Sequence, residues 1–224
     1  QVHPDNEYAL KNEGQYGKTE MWYVVDAEEG ACLYHGFNRE ISKDEFAKRI
    51  EEDTLLEVLN KVPVHKGDVF FIEAGTIHAI GKGLIIAEIQ QNSNVTYRVY
   101  DYGRVGKDGK LRELHIEKAL AVTKLEPPTR KPEPIAKLTA FADYDLTILA
   151  QCELFNVSHF DLHGNCSLNA KKDSFHSILV LDGQIALTYG NDSFTITKGE
   201  SVFIPADMGE YILNGTGEFI LTTL

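Results

Sequence analysis

The chain has 224 residues, 43% of them hydrophobic and 25% charged, and a formal net charge of -12. That is ordinary for a globular chain with room for one large domain or two small ones. The acidic balance, with no basic stripe, argues against nucleic acid and anionic membrane surfaces as partners. Cys32, Cys152 and Cys166 stand far apart without a C-x-x-C pair, which argues against a disulfide framework and fits a reducing cytoplasm. No apolar run approaches the ~20 residues that span a bilayer, and no signal-peptide pattern opens the chain. The chain starts in mid-pattern without Met, so a missing N-terminal segment is expected. The oligomeric state is not readable.

Gln1-Val2-His3 alternates polar and apolar, which puts Gln1 and His3 on one face of a short strand that Pro4 ends. Residues 5–17 read as polar and turn-rich. Residues 18–25 read as a strand with Lys18, Glu20 and Trp22 on one face, and residues 31–36 as a short strand after it. Ser42 and Glu45 make a capping box, and Phe46, Ile50, Leu55, Leu56 and Leu59 recur at roughly helical spacing. They predict a helix, or a pair of short helices, over 42–60. Gly67-Asp68 opens a turn before the apolar strand 69–72. Gly75 then supplies a conformationally free position ahead of Thr76-Ile77-His78. Residues 84–89 form another apolar run carrying Glu88, and residues 97–102 a third, aromatic-rich run carrying Arg98.

Residues 105–110 are a turn cluster, and residues 114–124 have helical spacing. Residues 126–134 hold four of the seven prolines and read as a semi-rigid linker. Beyond it, β-type runs at 146–154, 156–162, 174–181, 184–189, 193–197, 201–205 and 218–222 alternate with Gly/Asn/Asp turns, the pattern of a sandwich or jelly roll.

The two parts share a pattern. Lys66-Gly67-Asp68, an apolar strand and a turn to Gly75 are matched by Lys198-Gly199-Glu200, a second apolar strand and Pro205-Ala206-Asp207. This resembles the second motif of cupin barrels, in which a glycine-opened strand leads to a turn presenting a His. The first copy reaches His78; the matching place near Glu210 has none. The expected fold is mainly β: double cupin-like (jelly-roll) barrels with a small helical insertion. A metal-bearing unit is expected over 1–125, a proline-rich linker over 126–135, and a second cupin-like unit without a metal site over 136–224.

Gln1, His3, Glu20 and His78 together offer an amide oxygen, two imidazoles and a carboxylate. Such a set can hold a borderline divalent metal, zinc among them, with a position left open for substrate. The same residues on separate strands can equally be unrelated, with Arg98 merely paired to Glu88 or Asp101. Taken with their order and gaps, however, Gln1-Val2-His3-Pro4-Asp5, Lys18-Thr19-Glu20-Met21-Trp22, Gly75-Thr76-Ile77-His78-Ala79 and Asn94-Val95-Thr96-Tyr97-Arg98 resemble type I mannose-6-phosphate isomerase (phosphomannose isomerase), the short bacterial form, over roughly the whole chain.

The resemblance implies a zinc-dependent aldose–ketose isomerase acting on a small phosphosugar. It carries Gln1, His3, Glu20 and His78 over as Zn2+ ligands, Arg98 as the catalytic arginine, and Lys18 and Glu88 as active-site polar residues. In the family the Gln-Val-His-Pro-Asp motif is preceded by further strands, and larger members have Tyr where Ile80 stands. The implied chemistry moves a proton between C1 and C2 through an enediol. Glu88 or Lys18 would be the base, Lys18 only with a depressed pKa, while Arg98 suits an oxyanion or a phosphate. The alternative is a non-enzymatic cupin that binds a sugar or a metal. A metal-dependent dioxygenase is a third reading, which this donor set suits less well.

Overall fold

The computed structural model describes all residues, 1–224. They form two compact units, Gln1–Pro132 and Glu133–Leu224, divided inside the proline-rich stretch. No helix is long and apolar enough to cross a membrane.

The first unit contains α1 (Asn6–Glu13), β1 (Glu20–Ala27), β2 (Cys32–Phe37), α2 (Lys43–Glu51), a 3-10 turn (Leu55–Glu57), β3 (Leu59–Pro63), β4 (Val69–Ile72), β5 (His78–Ile80), β6 (Leu84–Gln90) and α3 (Ile116–Val122). Its strands make two antiparallel three-stranded sheets, β4-β1-β6 and β3-β2-β5. Trp22, Val24, Leu33, Val64, Phe70 and Ile72 form one buried cluster. Each such large side chain, taken fully from water, contributes about 1.5–3 kcal/mol. A second cluster, including Val2, Phe37, Phe46, Ile77, Tyr97 and Ala119, packs α2 and α3 beside the N-terminal segment.

Three local expectations are corrected. Residues 6–13 are helical, not turn-rich. Asp5 caps α1 by accepting the Tyr8 N–H, and Gly14 ends it in the left-handed region at φ +65°. Only Ala9 of this helix is buried, so no apolar stripe announces it. Of the helix or pair of short helices predicted over 42–60, α2 stops at Glu51 and only a 3-10 turn, Leu55–Glu57, follows; Asp53 turns to φ +58°, and Leu59 already belongs to β3. Residues 97–102 form no strand, joining Val2 only through a single bridge at Tyr97.

The second unit is all strand: β7 (Thr139–Ala140), β8 (Tyr144–Gln151), β9 (Asn156–Leu162), β10 (Asn165–Ala170), β11 (His176–Tyr189), β12 (Asp192–Thr197), β13 (Ser201–Ile204) and β14 (Gly209–Thr223). The sheet order is β12-β11-β14-β9-β8-β7, with β10 on β14 and β13 on β11. The two runs read at 174–181 and 184–189 are one long strand, β11, with a bulge between Val180 and Asp182 instead of a chain reversal. Phe160, Leu162, Ile178, Val180, Leu213 and Phe219 are among its buried core.

Candidate metal centre

β1 begins with Glu20, completely buried and paired in register with Ile72 of β4 and Gln90 of β6. Two residues on, Trp22 meets the His78 ring edge-on at 5.2 Å. His78 starts β5, and its main-chain N–H donates to Gln1 O at 2.9 Å. The N-terminal segment is held from both sides. Val2 and Tyr97 exchange main-chain hydrogen bonds of 2.9 Å each, and Gly75 N–H donates to His3 O at 2.7 Å. Gly75 sits at φ +87°, which lets the turn approach that carbonyl.

The imidazoles are oriented by main-chain carbonyls. His3 Nδ1 donates to Val95 O and His78 Nδ1 to Thr76 O, each at 2.8 Å. Both Nε2 lone pairs are thereby freed, and both face Glu20: His78 Nε2 lies 3.3 Å from Oε1 and His3 Nε2 3.6 Å from Oε2. His3 Nε2 and Glu20 Oε1 are buried without a hydrogen-bond partner. The three donor atoms lie within 4.8 Å of one another. A carboxylate aimed at two imidazole lone pairs is unfavourable unless a cation lies among them. The donor set therefore fits a divalent metal, with hard oxygen and borderline nitrogen ligands. Gln1 lies beside it, its amide nitrogen 3.1 Å from His78 Nε2. As a ligand this amide would present its oxygen.

Lys18 reaches over the cluster, Nζ lying 2.9 Å from Glu20 Oε2 and 3.0 Å from Glu88 Oε1. Glu88 faces Trp22 across the β1–β6 pair and keeps its side chain 33% exposed. It therefore borders both the buried cluster and solvent. Arg98 is half-buried and forms no ion pair with Glu88 or Asp101. Its Nη1 donates to Glu113 O at 2.9 Å, while Arg112 and Arg104 take Asp101. Its guanidinium charge is thus left for something else. Ile80 follows on β5, half exposed.

A family model described as the cupin domain of mannose-6-phosphate isomerase matches residues 145–224, within the second unit. Over the full chain the sequence is 38% identical to mannose-6-phosphate isomerase ManA of Bacillus subtilis and spans 70% of that protein's length. The chain belongs to the mannose-6-phosphate isomerase family. A mannose-6-phosphate isomerase of Streptococcus mutans is 36% identical over 98% of this chain and 68% of its own. The crystal structure of the Bacillus subtilis mannose 6-phosphate isomerase superposes with a TM-score of 0.91 at 33% identity, covering all of this chain and 70% of that one. As in its family, the fold is cupin-like, and the chain is an enzyme's.

In this family member burial dominates the electrostatics. It lowers His3 to about 4 and His78 well below the usual imidazole range, so both rings are neutral. Burial, with the Glu88 carboxylate next, raises Glu20 to about 7. For Lys18, burial works downward, but hydrogen bonds and charge from Glu20 and Glu88 outweigh it and raise the ammonium above its ordinary value. The depressed pKa that a lysine base would need is not what this geometry gives. Residue patterns also missed the carbonyls of Thr76 and Val95, which fix both tautomers. Any residue can supply a carbonyl, so no sequence signal exists for them.

Proposed function

We propose that this chain carries the metal centre of a zinc-dependent isomerase interconverting mannose 6-phosphate and fructose 6-phosphate through an enediol. The observation that supports this most is the buried convergence of His3 Nε2, His78 Nε2 and the Glu20 carboxylate, with His3 Nε2 and Glu20 Oε1 lacking any hydrogen-bond partner, beside the Lys18–Glu88 pair. Gln1, His3, Glu20 and His78 would hold the ion. Bound there, zinc supplies a Lewis acid for the neighbouring sugar oxygens.

The chain's own groups divide the remaining work. Glu88 is the carboxylate at the rim and takes the proton from C2 or C1 of the open-chain sugar, returning it to the other carbon. Lys18, held as an ammonium by Glu20 and Glu88, donates hydrogen bonds to the hydroxyl and carbonyl oxygens. Arg98, without a carboxylate partner, meets the charge of the enediolate or the substrate phosphate. The three cysteines are free, in keeping with a reducing cytoplasm.

The test is metal content by plasma mass spectrometry beside a coupled assay for fructose 6-phosphate. About one zinc per chain with turnover is expected. Zinc without turnover in both this chain and a longer one would favour a binding module. No stoichiometric metal in folded protein would overturn the ligand set.

A further inference from the structure

Residues 95–98 hold His3 and its neighbour Val2 at the chain's beginning, yet they lie in no sheet. Val95 O orients His3, Tyr97 exchanges both main-chain hydrogen bonds with Val2, and Arg98 follows directly. The Val2–Tyr97 contact is an isolated bridge, with no ladder to set its register. Something other than strand pairing must hold this segment in place.

The Tyr97 side chain is placed to do so. It is 2% exposed, and its hydroxyl donates to Glu13 Oε1 at 2.7 Å. Lys118 Nζ binds the same oxygen at 2.7 Å and lies 5.7 Å from the Tyr97 ring centroid. Glu13 is the last residue of α1 and Lys118 lies in α3, so two helices grip one phenol. The edge of the ring meets Tyr8, also on α1, at 6.2 Å between centroids. Phe would fill nearly the same volume; the hydroxyl matters only through its bond. A buried hydroxyl is costly without a partner and directional with one.

We propose that the Tyr97 hydroxyl, held by Glu13, is a positioning group that sets the His3 ligand and Arg98 in one register. The inference rests on the metal reading above. It links retention of the ion to the placement of the arginine, so loss of the bond loosens both.

The test measures zinc transfer from the loaded chain to excess chromogenic chelator, with metal-free Tm measured alongside. Tyr97→Phe and Glu13→Ala are expected to release zinc about tenfold faster, the range for groups that orient metal ligands. Glu13→Gln keeps an acceptor oxygen and is expected to stay within about twofold of wild type. Tyr211→Phe breaks a buried bond in the second unit; it is expected to lower Tm without changing the rate.

Unchanged release in Tyr97→Phe and Glu13→Ala would overturn the inference while the metal reading stands. So would equal acceleration in Glu13→Ala and Glu13→Gln. If Tyr97→Phe fails to fold, the Glu13 pair decides alone. Wild-type protein that carries no zinc would overturn the metal reading, and this inference with it.

Discussion

The two units build one strand scaffold twice and fill it differently. β1 has a bulge between Val24 and Asp26, and β11 has one between Val180 and Asp182. Gly67 N–H donates to Val24 O at 2.9 Å, and Gly199 N–H to Val180 O at 2.8 Å. Both glycines have positive φ, +91° and +84°. Glu20 pairs with Ile72 as His176 pairs with Ile204. Leu33 faces both Val62 and Ile80, as Leu187 faces both Phe194 and Leu213. Stepping along these registers places His176 at the position of Glu20 and Tyr211 at that of His78. Trp22 and Glu88 correspond to Ile178 and Leu221.

The chemistry at these matched positions is opposite. Glu20 and His78 approach to 3.3 Å with acceptors facing each other. His176 and Tyr211 close a 2.7 Å hydrogen bond and need nothing more. Leu221 removes the rim carboxylate. The scaffold of bulge, glycine turn and short strand therefore stands without a metal, and the side chains alone decide whether an ion is called for.

Breaking the first unit's set should have the largest effect. His78→Ala is expected to lose stoichiometric zinc and at least about 1,000-fold in turnover. His176→Ala at a neighbouring position of the same scaffold is expected to change Tm only; mass spectrometry and the coupled assay check both. Arg98→Ala comes next, with kcat reduced about 100- to 1,000-fold at unchanged zinc content and nearly unchanged Tm. Near-normal kcat would remove Arg98 from the mechanism.

A smaller effect separates the metal's role from the fold's. Glu20 is raised from 4.5 to about 7 in the metal-free fold, chiefly by burial. Its contribution to stability is fully present below pH 4.5 and is lost as the pH rises through about 7. Metal-free Glu20→Gln is therefore expected to melt above metal-free wild type at pH 8 and to lose that advantage near pH 4. His176 runs the other way. Burial lowers its pKa below 6.5, so its contribution is present above 6.5 and is lost on acidification. Thermal melts from pH 4 to 8 read both slopes.

The smallest effect is spectroscopic. Trp22 is the only tryptophan and lies 5.2 Å from His78. Its emission is expected to change on chelation of the ion and to report nothing directly from the second unit. A spectrum identical with and without metal would contradict the placement of the ion beside His78.

Much of this organisation was legible in residues. The paired Lys-Gly-acid turns predicted matched strands because glycine at positive φ leaves a mark that composition shows. Strand alternation put Glu20 and Trp22 on one face. The Pro-rich stretch marked where the chain divides. Other elements left weak marks or misleading ones. α1 buries one alanine, so its cap residues Asp5 and Gly14 were its only signals. Leu55, Leu56 and Leu59 imitate helical spacing across a 3-10 turn and the start of β3. Residues 97–102 have strand composition but no ladder partner.

By itself the sequence determined which donor types the chain possesses, the repeated strand–turn pattern and, through the Gln-Val-His-Pro-Asp and Lys-Thr-Glu-Met-Trp motifs, its family resemblance. Only the tertiary structure decided the state of those groups. Carbonyls of Thr76 and Val95 fixed which imidazole nitrogen faces Glu20; hydrogen bonds and charge from two carboxylates kept Lys18 charged against its burial; Arg112 and Arg104 took Asp101 and left Arg98 without an ion pair. Residue identity travels with the sequence. Charge state, tautomer and partner depend on distance and exposure, which arise only when distant segments pack.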